Sequence, residues 1–309
     1  VIEDLPDSVT VKAYLSQHGD TITSDTAFAL GTALGTWLRE YHAWLNAPAG
    51  MSADTNLEDL GQEMRDRTEL HVTLSKNESM VAARSRLYIG SYRTSMAQFP
   101  QLEGWPSDEK FEDIETMIKL CCGNPDFGGG RGIHGDWWTG NMILRDAPLP
   151  DPAQLEEKDK KTDIFMLDFE VSQLGSPAQD LAQCLGELYL VHHFFHSVSP
   201  LHVMRGVASA YLAPSQTPNA PAPGLHTIDT ELANSGKHGQ EEGDKEELAF
   251  QTAMHFGVHI VTIPWRYGWP TDEEGCMEKC VAFGNQCLLK AVERERGWFE
   301  EGVLGFLFQ

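Results

Sequence analysis

The chain has 309 residues, with 23 Lys and Arg against 46 Asp and Glu, for a formal net charge of −23. A field of that sign disfavours nucleic acid and anionic membrane surfaces and mildly favours cationic small molecules. The length allows one large domain or two smaller ones, no run of about 18 apolar residues marks a membrane helix, and no secretory pattern opens the sequence.

The first stretch, VIEDLPDSVTVKAYL, places a short apolar end ahead of Glu3-Asp4-Leu5. Thr26–Leu45 then reads as a helix, with Asp25 placed to cap its first turn. Leu30, Leu34, Leu38, Tyr41 and Leu45 recur near helical spacing, and Trp37 widens the apolar face. Gly31 and Gly35, four residues apart, permit close backbone approach to another element. His42 near the end of this helix reads as a packing or helix-end residue. Residues 57–77 form a mixed polar helical pattern and 78–97 another, with Met80, Val81, Leu87, Tyr88 and Tyr92. Pro100 and Pro106 punctuate the chain before a short helix over Asp108–Cys121, whose acidic first turn suits the helix dipole. Glu112 and Glu115 on it read as a solvated face.

The cluster Gly128-Gly129-Gly130 lacks both G-x-G-x-x-G spacing and a Gly-Lys-Ser/Thr ending, so it reads as a loop and not as a phosphate cradle. Two short apolar runs, Met142–Leu144 and Ile164–Leu167, read as strands. Between them, 146–162 is rich in proline and mixed charge and reads as a surface insertion. A helix follows over Asp180–His196, and Leu201–Leu212 continues the helical pattern. His192, His193 and His196 crowd the end of the first helix; without an H-E-x-x-H pattern they read as wall residues and not as metal ligands. The segment 213–247 is low in hydrophobic residues and high in charge, which predicts a disordered insertion. Helical periodicity resumes at Leu248–Thr262 and is ended by Pro264. The aromatic cluster Trp265, Arg266, Tyr267, Gly268 and Trp269 suits either acceptor recognition or packing. A final helix is predicted over Glu273–Arg296, followed by an apolar end that docks on the body. The six cysteines are too sparse for a disulfide framework and point to a reducing, cytoplasmic setting.

Pairing of the two strands would set Asn141 at the start of one and Asp168 at the end of the other, with Asp136 in the loop that feeds the first. Two carboxylates and an amide in one place could hold a hard divalent cation and orient a hydroxyl. The competing reading is that His134, Asp136 and Asp168 are turn residues at strand ends. Trp137 and Trp138, adjacent in the same loop, do not readily point the same way, so one can line a pocket and offer an aromatic face to an amine or a flat ring.

The order H-G-D-x-x-x-x-N at His134–Asn141, D-F-E at Asp168–Glu170 and G-x-x-x-x-D-L-A at Gly175–Ala182 resembles the aminoglycoside phosphotransferase and choline kinase group of small-molecule kinases. The resemblance implies an α+β, mainly helical fold: a protein-kinase-like large lobe over 1–309 with a small β hairpin at the cleft. It implies that residues 1–10 are the interlobe linker and that the β-rich small lobe is absent from this chain, either because it lies upstream in cis in a longer kinase or because the large lobe is used without it. There Ile2, Glu3, Asp4 and Leu5 would meet the adenine edge of ATP. Asp136 would face the acceptor hydroxyl, Asn141 and Asp168 would bind magnesium (Mg), Asp180 would hold the backbone near His134, and His134 would orient the loop. Trp137, Trp138, Glu170, Trp265, Arg266 and Trp269 are the candidates for the wall of the acceptor pocket.

The reading that follows is an ATP- and Mg-dependent phosphotransferase acting on a small-molecule hydroxyl, cationic or aromatic in character. Two rivals stay open on the sequence. One is a non-phosphoryl enzyme on the same truncated scaffold, with Asp136 and His134 as acid–base groups. The other is a non-catalytic binding or regulatory protein of pseudokinase type. The acceptor and the oligomeric state are not encoded in any motif.

Overall fold

The computed structural model describes residues 5–46, 62–102, 104, 106–121, 130–154, 163–213, 237–269 and 273–309. Among these the chain is mainly helical with two small antiparallel sheets. Strand β1 (Ser8–Thr10) leads directly into α1 (Val11–His18), where the Thr10 hydroxyl accepts from Ala13 N–H as the N-cap. The expected linker residues Ile2, Glu3 and Asp4 lie outside the described residues; Leu5 is half-buried just ahead of β1.

Helix α2 (Ser24–Asn46) buries Leu30, Leu34, Leu38 and Leu45 along one stripe, as their spacing requires. It starts earlier than expected. Thr23 accepts from Thr26 N–H at 3.1 Å and so takes the capping role assigned to Asp25, which sits inside the first turn. The polar segment α3 (Gln62–Ser75) buries only Leu74. The single helix expected over 78–97 is broken into α4 (Glu78–Ser85), a π-turn at Arg86–Gly90 and α5 (Ser91–Met96). The π-turn places Tyr88 in the core, with its ring near His255 and His259. Helix α6 (Asp108–Cys121) follows the predicted bounds.

Strand β2 (Arg131–Ile133) leads into the polar loop, and β3 (Met142–Arg145) and β4 (Ile164–Met166) form the anticipated hairpin, with Met142 opposite Met166. Two further strand pairings were not read from the sequence. Thr10 pairs with Ile143, so β1 adds a third strand to the hairpin. Strand β5 (Gln173–Gly175) pairs with β2 through Ile133 and Gln173. Both additions are three-residue strands, too short to show alternation.

The core is built around α7 (Pro177–Phe195), in which every residue from Pro177 to Leu188 is buried. It packs on α8 (Ser199–Leu212) and α9 (Lys237–Arg266). Helix α8 lies against α2 at very close range. A Cβ on Gly31 would meet the Val203 carbonyl, one on Gly35 the Val207 carbonyl, and one on Gly206 the Phe28 carbonyl. Only glycine allows backbones to approach so nearly.

Two expectations fail in α9. Residues 237–247, expected to be disordered, form its first turns; residues 214–236 lie outside the described residues. The acidic run is held because Glu246 pairs with Arg296 at 3.5 Å and Glu247 pairs with Arg294. Pro264 does not end the helix, which continues to Arg266. The proline removes an N–H, and the Ile260 carbonyl left by it is met by the Cys280 thiol at 3.8 Å. That thiol comes from α10 (Cys276–Val292), shorter than the expected final helix; α11 (Arg296–Glu300) and a closing 3-10 turn carry Phe299 and Leu307 into the core. Among the described residues no helix is long and apolar enough to cross a membrane.

Candidate active site

The loop His134–Asn141 joins β2 to β3, and its backbone is fixed from α7. The Asp180 carboxylate, fully buried, accepts from His134 N–H at 2.7 Å and from Gly135 N–H at 2.9 Å. His42 Nε2 approaches the same carboxylate at 3.0 Å, and its Nδ1 meets the Tyr211 hydroxyl at 2.8 Å. An aspartate at zero exposure needs this many donors, because an unpaired buried carboxylate costs several kcal/mol, on the order of 3–5 when a partner is removed. Gly135 has φ +85, and a Cβ there would strike the Val171 carbonyl. The turn therefore demands glycine.

With the backbone so held, both carboxylate oxygens of Asp136 receive amide donors. Gln183 Nε2 donates to Oδ1 at 2.6 Å, and Asn141 Nδ2 donates to Oδ2 at 2.9 Å and to the Asp136 carbonyl at 3.0 Å. Asp136 is only partly buried, so the carboxylate is fixed in direction while one side stays open. His134 is 1% exposed, and its Nδ1 accepts from Asp136 N–H at 3.3 Å. Burial lowers its pKa, outweighing the opposing charges of Asp180 and Asp136, and its ring lies 4.5 Å from that of Phe169. The ring is thus buried, shifted towards its neutral form, and engaged with its own loop through Nδ1.

Asp168 sits just beyond β4. It takes φ +65 and ψ +56, a left-handed conformation uncommon outside glycine, and its side chain is exposed and caps nothing. Such strain persists where surrounding structure enforces it, and it clusters at functional positions. Leu167 N–H donates to the Asn141 carbonyl at 2.9 Å, which brings the Asn141 and Asp168 backbones together. With Asn141 Nδ2 committed to Asp136, its Oδ1 remains for another partner, beside an exposed carboxylate. Two oxygen donors of this kind suit a hard divalent cation whose other ligands are phosphate and water. No group of three or more His, Cys, Asp or Glu suited to a metal occurs among the described residues.

The other candidates separate. Trp137 is core: it is 1% exposed and stacks on Trp37 with centroids 6.4 Å apart. Trp138 is half-buried over Gly140. Trp269 comes to the same place, since the Lys12 ammonium lies 3.7 Å from its ring and 5.3 Å from that of Trp138. Trp265 and Arg266 turn to α5, donating to Ser95 and Ser91 at 2.7 Å each. Glu170 is exposed in the turn after Asp168. His192 and His193 engage the Ser197 and Cys276 carbonyls.

Sequence reasoning missed Gln183, Glu187, Lys12 and His259. Glu187 is 2% exposed, takes a hydrogen bond from Lys12 Nζ at 3.2 Å, and faces His259 Nε2 at 3.1 Å. Burial pushes its pKa up, but the hydrogen bonds and charges of His259 and Lys12 more than reverse this and leave it below the usual carboxylate range. A signal did exist. Asp180, Gln183 and Glu187 form a polar line at i, i+3 and i+7 on a helix whose remaining residues over Leu181–Leu188 are apolar or small.

Residues 132–188 match the model of the ecdysteroid kinase-like family, the segment from β2 into α7 that carries Asp136, Asn141, Asp168, Asp180, Gln183 and Glu187. A phosphotransferase of Cladobotryum sp, FrzJ, is 24% identical over 215 residues, which cover 68% of this chain and 49% of that protein. The chain therefore spans about half the length of the curated relative it matches. One similarity is to a kinase-like family and the other to a phosphotransferase, a coarser statement than the aminoglycoside phosphotransferase or choline kinase resemblance read from the motifs.

Proposed function

We propose that this chain is the large lobe of a kinase-like phosphotransferase that passes the terminal phosphoryl group of ATP to the hydroxyl of a small molecule. The observation that carries the reading is the Asp136 carboxylate, held through both oxygens by Gln183 and Asn141 on a loop that Asp180 fixes. Phosphoryl transfer asks for alignment and neutralised charge more than for covalent chemistry, and this is an aligning device.

Asp136 directs the acceptor hydroxyl and takes its proton as the oxygen bonds to phosphorus and the bond from phosphorus to the bridging oxygen of ADP breaks. Asn141 Oδ1 and the Asp168 carboxylate would hold magnesium, which when bound would supply neutralising charge for the phosphates. The buried, engaged His134 supports this reading over an acid–base enzyme that uses the imidazole.

The test is isothermal titration of ATP with and without magnesium, alongside an acceptor screen by ADP release. Magnesium-dependent binding that is lost in Asp168→Ala is the expected result. In Asp136→Asn, binding persists while turnover falls by about a hundredfold or more. Turnover unchanged in Asp136→Asn refutes the assignment.

A further inference from the structure

Lys12 meets the kinds of group that usually hold a bound cation, two indole rings and a carboxylate. Its Nζ lies 3.7 Å from the Trp269 ring centroid, 5.3 Å from that of Trp138, and 3.2 Å from Glu187 Oε2. Trp269 is 6% exposed and the Glu187 side chain 2% exposed, whereas that of Lys12 keeps 30% of its surface in contact with solvent. Two of the three cage residues are thus buried and Trp138 is half-buried, and the ammonium reaches them from the edge. Two indole faces and a desolvated carboxylate are the chemistry by which proteins hold organic ammonium ions.

The cage also belongs to the loop that carries Asp136. Lys12 N–H donates to the Thr139 carbonyl at 3.1 Å, and Trp138 is two residues after Asp136. On α7, Gln183 holds Asp136 and Glu187 holds Lys12, so one helical turn, about 6 Å, separates the two contact points. Trp269 further lines a cavity of about 440 Å³ together with Trp265, Glu273, Glu274 and Glu278. This acidic, aromatic approach would draw cations towards a place that is already filled.

We propose that Lys12 is a built-in plug in an organic-cation site formed by Trp138, Trp269 and Glu187, and that it sets selectivity by turning ammonium-bearing molecules away from this wall. The binding half stands on the cage alone. The half concerning acceptor choice rests on the phosphotransferase reading.

The test uses the full chain as wild type, Lys12→Ala and Lys12→Arg, with n-butylammonium chloride as a mimic of the lost side chain and sodium chloride at equal ionic strength as control. Tryptophan fluorescence and thermal melting report binding. Lys12→Ala is expected to bind butylammonium at least about tenfold more tightly than wild type or Lys12→Arg. The gain disappears when Glu187→Gln is added. Equal response of wild type and Lys12→Ala to the amine overturns the proposal, as does no saturable response in a folded Lys12→Ala. If Lys12→Ala folds only weakly, recovery of its melting transition by butylammonium and not by sodium supports the plug, and failure of that recovery overturns it. In the kinetic arm, Lys12→Ala lowers KM for amino-alcohol acceptors relative to neutral alcohols with little change in kcat. Amine binding without that KM shift refutes the selectivity half and keeps the cage. Absence of any phosphoryl transfer in wild type bears on the proposed function and leaves the binding result intact.

Discussion

At the scale of single residues, Asp136 has little freedom to turn, and one of its two carboxylate oxygens is held by Gln183, a side chain that local spacing in the loop sequence does not point to. Gln183→Ala removes the 2.6 Å donor to Oδ1 and leaves Asn141 alone on the carboxylate. Misaimed by a fraction of an ångström, the carboxylate loses alignment and not charge. The expected outcome is a fall in kcat of about tenfold to a hundredfold with KM little altered, read by steady-state ADP release. Gln183→Glu, which sets a like charge against Asp136, is expected to be worse than alanine, whereas a merely structural glutamine would rank the two the other way. The grouping of His134, Asp136, Asn141 and Asp168 on one loop and hairpin was legible from local spacing, while the roles proposed for them came from the motif resemblance. His42, Lys12 and His259 were not legible in this way. Their partners lie 138, 175 and 72 residues away, and nothing in an isolated helix says which distant carboxylate its histidine or lysine will meet.

Among elements, the tightest joint is between α2 and α8. Gly31 and Gly35 announced a close approach in the sequence, but the matching Gly206 in α8 gave no periodic sign of being the other half. Gly206→Val places carbon against the Phe28 carbonyl, an atom of a helix backbone that has no rotamer to retreat into. The expected cost is about 3 kcal/mol, the upper end for overpacking, seen as a lower Tm in thermal denaturation, while Gly297→Ala, with nothing near its Cβ, shifts Tm little. Pro264 and the acidic start of α9 misled for opposite reasons. The proline's missing bond is compensated from another helix, and the charges of Glu246 and Glu247 are met by arginines about 50 residues on. Local propensity is a weak prior when tertiary partners settle the balance.

Across the whole molecule, acid weakens several buried and half-buried sites together. Burial holds the pKa of His71, His134 and His193 below the ordinary imidazole value, and His259 with Lys12 holds Glu187 below the ordinary carboxylate value. For each depressed group the unfolded chain takes up the proton first as pH falls. Their stability contributions are therefore complete above the unfolded pKa and are lost on descending through the folded one. The three histidines act first, below about pH 6.5, and Glu187 only below about pH 4.3. Melting curves are expected to show Tm falling between about pH 7.5 and about pH 5.5, and His134→Gln flattens that slope. A Tm that is level or rises across this interval refutes the assignment of neutral buried imidazoles.

The strand Ser8–Thr10 is tied at both ends to the chain flanking β3, by Asp146 N–H to the Asp7 carbonyl at 2.7 Å and by Lys12 N–H to the Thr139 carbonyl at 3.1 Å. A truncation that reaches Thr10 would therefore do more than shorten a tail. It would strip the outer edge from β3, cast the first helix adrift, and let the loop beside it slacken. Anyone trimming this protein for crystals or fusions should stop the scissors short of Leu5.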